Sequence, residues 1–176
     1  MQLASSLPTA EKLFEKVAAE IIAAATSCSG ETALVGIHSG GVWMMQRILP
    51  MLKSRVDFGK LDAAMYRDDF AQRGLKSNNQ PTWIPFDVQG KHIILIDDIF
   101  YTGRTTRAAM NEIFDYGRPA SITLAVLVNR GGAQLPISPQ IVGAYIALAA
   151  NQSLQLSQDT AGKFHMQLEQ AEGANV

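Results

Sequence analysis

Two adjacent carboxylates, Asp97 and Asp98, close an unbroken apolar run, Ile93-Ile94-Leu95-Ile96, and lead into Ile99-Phe100-Tyr101-Thr102-Gly103-Arg104-Thr105-Thr106. Neighbouring carboxylates accept hydrogen bonds well from a vicinal diol such as a ribose 2′,3′-pair. A hydroxyl-rich, glycine-containing turn that opens a helix supplies orphan backbone N–H groups, the positive end of the helix dipole and threonine hydroxyls, which together cradle a phosphate. The ligand implied is a phosphorylated sugar with free hydroxyls. The competing explanation is structural, with the acids capping a turn and the threonines a helix. It leaves two charges at the end of a buried strand without compensation, and unpaired buried charge is costly. The spacing matches neither a P-loop nor a GxGxxG fingerprint.

Such a loop needs a sheet edge to present it, and the rest of the chain supplies the elements. Thr9 is placed to cap a helix over roughly 10–25, with Leu13, Phe14, Val17 and Ile21 on one face. Leu34 to His38 predicts a buried strand that ends in the turn Ser39-Gly40-Gly41, and a helix follows from about Val42 to Pro50. Leu61 to Tyr66 predicts a strand with Arg67-Asp68-Asp69 at its end, and residues 70–83 a long polar loop of the kind that serves as a mobile lid. Ile84 to Val88, broken by Pro85, is an edge strand at most. His92 to Ile96 predicts a buried strand, Thr105 to Tyr116 a helix closed by Gly117, and Ser121 to Val128 a further strand. Ile141-Val142 with Tyr145-Ile146 predicts one more strand. Alternation at Leu154/Leu156 and Phe164/Met166/Leu168 predicts a C-terminal β-hairpin over about 153–169. Strands alternating with helices indicate βαβ units, so the expectation is a single α/β domain built on a parallel sheet.

Composition narrows the class. The 176 residues are 47% apolar and 18% charged, with one cysteine, Cys28. One cysteine forms no internal disulfide, no apolar run approaches the ~18 residues of a membrane span, and Met1 to Ala10 shows no signal-peptide pattern. A cytoplasmic protein is the expectation. The net charge of −1 is unevenly spread: residues 1–33 and 131–176 each carry −2, and residues 34–130 carry +3 from 12 basic and 9 acidic groups. An anionic ligand is expected on that middle stretch.

Four apolar residues, two acids, three variable residues and then Thr-Gly-x-Thr resemble the phosphoribosyl-pyrophosphate (PRPP) loop of type I phosphoribosyltransferases. Within that superfamily the chain resembles the PyrR-type uracil phosphoribosyltransferases and pyrimidine operon regulators. The resemblance runs through Val35-Gly36-Ile37-His38, Tyr66 to Phe70, Ile84 to Val88, the PRPP loop, Tyr116 to Ser121, Leu127 to Gly131 and Leu135-Pro136-Ile137, covering residues 10 to 146 in order. It implies a twisted parallel sheet flanked by helices, with a small hood that holds the base. It implies that Asp97 and Asp98 hold the ribose hydroxyls of PRPP, that Thr102, Gly103, Arg104, Thr105 and Thr106 hold its 5′-phosphate, and that Ser39, Gly40 and Arg67 approach the pyrophosphate. Tyr101 and Arg130 fall at the substrate pocket. It further implies Mg²⁺ carried mainly through PRPP, a homo-oligomer of two or more copies, and the reaction of uracil with PRPP to give UMP and pyrophosphate. Regulation of pyrimidine genes through messenger RNA, with little or no catalysis, is the alternative.

The departures from the family pattern bear on both readings. Purine members of the superfamily place an Asp three positions after the acidic pair, where Tyr101 stands here; this fits a pyrimidine, whose N1 proton is more acidic. Ser39-Gly40 stand where many relatives have Thr-Arg. After Asn129-Arg130-Gly131, regulatory members commonly continue His-Arg-Glu-Leu-Pro-Ile-Arg, whereas this chain has Gly132-Ala133-Gln134-Leu135-Pro136-Ile137-Ser138, and Ala144-Tyr145 replace a basic pair. Missing those charges should weaken RNA binding severely. His38 is open to either a substrate contact or a structural hydrogen bond. Trp43, Met44 and Met45 read as core or oligomer contacts, and Cys28 lacks the neighbours of a nucleophile.

Overall fold

The computed structural model describes residues 8–63, 81–149 and 151–170. Helix α1 spans Ala10–Ser27 and is capped by Thr9, whose hydroxyl accepts from Lys12 N at 3.4 Å. Strand β1 spans Thr32–Ile37, α2 Gly40–Ile48, and a single 3-10 turn over Leu49–Met51 ends that helix at Pro50. Then come β2 (Asp57–Leu61), β3 (His92–Phe100), α3 (Arg104–Asp115), β4 (Ser121–Asn129), β5 (Ile141–Tyr145), β6 (Gln152–Gln158) and β7 (Phe164–Gln170).

The first five strands form one parallel sheet in the order β2-β1-β3-β4-β5, and β6 and β7 pair antiparallel as a separate hairpin. Successive residues of a strand face opposite sides, so the apolar run Ile93 to Ile96 of β3 serves two cores. Ile94 and Ile96 face α1 and α2, while Ile93 and Leu95 face α3 through Ala109 and Ile113. Helices on both faces explain why the central strands read as continuous apolar runs rather than alternating ones. The expected α/β fold with a parallel sheet flanked by helices is therefore present. Among the described residues, no helix is long and apolar enough to cross a membrane.

Three boundaries differ from the sequence reading. Strand β2 lies at Asp57–Leu61, because Asp57 pairs with Ala33 and Leu61 with Ile37, while residues 64–66 of the expected Leu61 to Tyr66 lie outside the described residues. It is an edge strand whose exposed Asp57 and half-buried Lys60 hide its pattern. Residues 84–88 form no strand; the edge contact is a single bridge from Trp83 to Lys60, with reciprocal N–H···O bonds of 2.8 Å. Strand β3 does not stop at Ile96 but runs to Phe100, with Asp97 beside Val126 and Ile99 beside Val128. Of the expected 70–83 loop, only residues 81–83 are among those described, and Arg67 also lies outside them.

Candidate active site

The carboxyl ends of β1, β3 and β4 converge with the hairpin around a cavity of about 210 Å³. Open α/β sheets bind ligands at this edge. Asp97 lines the cavity although it is only 3% exposed, and Asp98 is half-buried beside it. Each carboxylate is steadied by the backbone that follows: Asp98 N donates to Asp97 Oδ1 and Ile99 N to Asp98 Oδ1, both at 3.0 Å.

Below the acids, Tyr101 to Gly103 turn the chain into α3. Thr102 and Thr106 are 4% and 2% exposed, and with Gly103 and Thr105 they line the cavity at the helix start. The turn is fixed by Arg104 N donating to Thr102 Oγ1 at 3.3 Å and Gln134 N to Thr102 O at 2.9 Å. An N-terminal helix turn with hydroxyls facing a polar cavity is suited to an anion. Arg104 itself is exposed and does not line the cavity.

Ser39 and Gly40 close another wall, where α2 begins. The approach there is tight. A Cβ built on Gly40 would lie 2.5 Å from Asp98 Oδ2 and 2.7 Å from Asp98 Cβ, so the loop and the second carboxylate meet only because residue 40 is glycine.

Arg130, just past β4, ties the far wall together. Its guanidinium lies 3.8 Å from the Tyr101 ring centre, a cation–π contact, and Nη2 donates to Gln152 O at 3.0 Å. Its buried Nε has no hydrogen-bond partner among the described residues. Tyr101 and Arg130 both line the cavity.

A family profile described as "Phosphoribosyl transferase domain" matches residues 6–148. A Pseudomonas fluorescens protein named "Bifunctional protein PyrR" is 46% identical over 153 residues, covering 86% of this chain and 91% of the relative. Proteins of the same name from Ralstonia nicotianae (47%, covering 87% of this chain and 88% of the relative) and Nitrosococcus oceani (50%, covering 77% of each) match as well. The chain belongs to the PyrR family of phosphoribosyltransferases. Solved structures agree on the fold: a hypoxanthine-guanine phosphoribosyltransferase from Bacillus anthracis superposes with a TM-score of 0.62 at 17% identity, covering 81% of this chain and 84% of that one. A hypoxanthine phosphoribosyltransferase from Trypanosoma cruzi gives 0.60 at 22%, covering 84% and 82%.

Within this PyrR-family chain, sequence reasoning missed one wall of the cavity. Trp43 lines it, whereas its neighbours Met44 and Met45 are fully buried core residues as expected. The signal was available, because Trp43 lies one helical turn after Ser39 and its N–H bonds Ser39 O at 3.1 Å. Ser153, Leu154, Gln155 and Leu156 of β6 also line the cavity, and nothing local in their pattern announces it. His38 is half-buried and stays outside the lining.

Proposed function

We propose that the protein transfers the phosphoribosyl group of PRPP to uracil, giving UMP and pyrophosphate. The observation that carries this reading is the meeting of an acid pair, a hydroxyl-lined helix N-terminus and strand β6 of the hairpin around one cavity. In this reading Asp97 and Asp98 accept hydrogen bonds from the ribose diol, and Thr102, Gly103, Thr105 and Thr106 hold the 5′-phosphate at the start of α3. Ser39 and Gly40 contact the pyrophosphate, with Arg67 approaching it. The base lies between Tyr101 and the hairpin.

The chemistry follows from where charge develops. The bond from C1 to the pyrophosphate oxygen breaks as the uracil N1–C1 bond forms, so the sugar becomes cation-like while negative charge grows on the leaving group. Backbone N–H groups and cationic side chains aimed at that group lower the barrier. Tyr101 offers no carboxylate to take a proton from the nucleobase, which suits a nucleobase whose own N1 proton is acidic. Mg²⁺, where it accompanies PRPP, would neutralise charge on the leaving group. Asp97 and Asp98 are hard oxygen donors of the right kind.

The relatives are named bifunctional, and regulation through RNA is the second reading. Gly132, Ala133 and Ser138 are exposed in this chain, so a surface is present there without the charges that regulatory members carry. We therefore assign the catalytic activity first. A cytoplasmic setting fits the lone cysteine, Cys28. The deciding experiment is a pyrophosphate-release assay with uracil and PRPP. Turnover that depends on both substrates is expected, and none at saturating concentrations overturns the reading.

A further inference from the structure

Away from the cavity, a polar cluster joins α1, α2 and the hairpin. Arg47, in the last turn of α2, donates from Nη1 to Glu11 Oε1 at 2.7 Å and from Nη2 to Oε2 at 2.9 Å. Nη1 also donates to Gly162 O, in the hairpin turn, at 3.3 Å. The guanidinium lies 4.1 Å from the ring centre of Phe14 and 4.4 Å from that of Phe164, and the two rings meet edge to face at 5.1 Å. Glu11 Oε1 in turn accepts from Phe164 N at 2.6 Å. One bidentate ion pair thus holds both the turn of the hairpin and the first residue of β7.

The hairpin needs such an anchor. It shares no strand pairing with the main sheet, and two strands alone are marginal in water. Its placement rests on side chains, and Phe164, paired with Gln158, sits at the turn end of the hairpin, whose strand β6 lines the cavity from Ser153 to Leu156. The opposite end is held by Arg130 at Gln152 O. Among the described residues, the groups assigned to PRPP come instead from β3, the turn into α3 and the start of α2, all integral to the sheet and its helices. Lysine cannot reproduce a planar fork that grips a carboxylate and stacks on two rings at once.

We propose that Arg47 and Glu11 form a positioning pair that seats the hairpin over the nucleobase subsite, governing affinity for the base and not for PRPP. The proposal rests on the reading of the cavity given above. Steady-state kinetics of the full chain would compare wild type with Arg47→Lys, Arg47→Gln and Glu11→Gln. KM for uracil is expected to rise about tenfold in the Gln variants and less in Arg47→Lys, the scale of one charge-assisted hydrogen bond, while KM for PRPP stays within about twofold. An unchanged uracil KM, or an equal rise in both constants, overturns the proposal. A second readout is independent of activity: hydrogen exchange over residues 152–170 should quicken in Arg47→Lys while β3 keeps its protection. Unaltered exchange in the hairpin overturns the latch even where a variant is inactive. Wild-type enzyme without uracil turnover overturns the functional reading instead and leaves the exchange result to decide the latch.

Discussion

At the scale of single residues, the acid pair was the most legible feature of the chain, because two carboxylates ending an apolar strand have few reasons to be there. Gly40 was the least legible. Its meaning lies in a contact with a residue 58 positions away: the Asp98 carboxylate fills the space that any Cβ at position 40 would need. Asp98 cannot simply swing aside, since Ile99 N holds its Oδ1 and the clash reaches its Cβ. Overpacking of this kind costs about 1–3 kcal/mol, and tenfold in affinity is about 1.4 kcal/mol. Gly40→Ala should therefore raise KM for PRPP by about tenfold or more, with thermal stability a secondary readout. A variant with wild-type PRPP kinetics would show that Asp98 has no fixed place in the site. Trp43 packs against the core as its helix position suggests, but helix periodicity says nothing about the cavity that the start of the helix also faces.

At the scale of elements, the central strands and α3 could be read from sequence because burial on both faces leaves unbroken apolar runs. The edge strand β2 could not, since its exposure mixes polar residues into the run. The hairpin was visible as alternation, yet its seat against α1 and α2 depends on Glu11 and Arg47, residues 36 apart in sequence that meet Phe164 and Gly162. That seat carries a pH signature. The Arg47 guanidinium, followed by the Phe164 N–H, holds the Glu11 carboxyl below its ordinary value of 4.5, and Glu11 in turn raises Arg47. Because the native carboxyl is the stronger acid, the unfolded chain binds more protons in the window between the two values, so stability rises with pH there. The contribution is complete above about 4.5 and is lost as pH falls through the lowered native value. Thermal unfolding followed between pH 6 and pH 3 should show a drop in wild type that is smaller in Glu11→Gln. Parallel profiles for the two proteins would deny the ion pair any stabilising role. The side chains are 22% and 30% exposed, so the drop should also shrink at high salt.

For the molecule as a whole, the question is which of two functions its charge distribution serves. The acidic flanks and the +3 middle concentrate positive charge in the stretch that holds the acid pair and the threonine-rich turn. The surface following Arg130 bears on that question. Gly132 sits at φ 85°, and a Cβ there would come within 2.7 Å of the Tyr101 ring, so the histidine common in regulatory members would collide with a wall of the cavity. Lys16, the nearest base to β5, is engaged at the carbonyls of Val142 and Gly143 at 2.9 and 3.1 Å. Ala133 and Ser138 are both exposed. Protein–RNA affinity is set largely by phosphate neutralisation, and each phosphate contact contributes roughly 0.7–0.9 to the slope of log K against log salt. Wild type should therefore bind a leader-type RNA hairpin weaker than micromolar at physiological salt, with a shallow slope. The double variant Ala133→Arg, Ser138→Arg should bind more tightly and steepen that slope by about 1.5, leaving KM for PRPP unchanged because neither position lines the cavity. Submicromolar binding by wild type would mean that a different face of the molecule reads RNA, and catalysis could no longer be ranked as the retained half of the family's two activities.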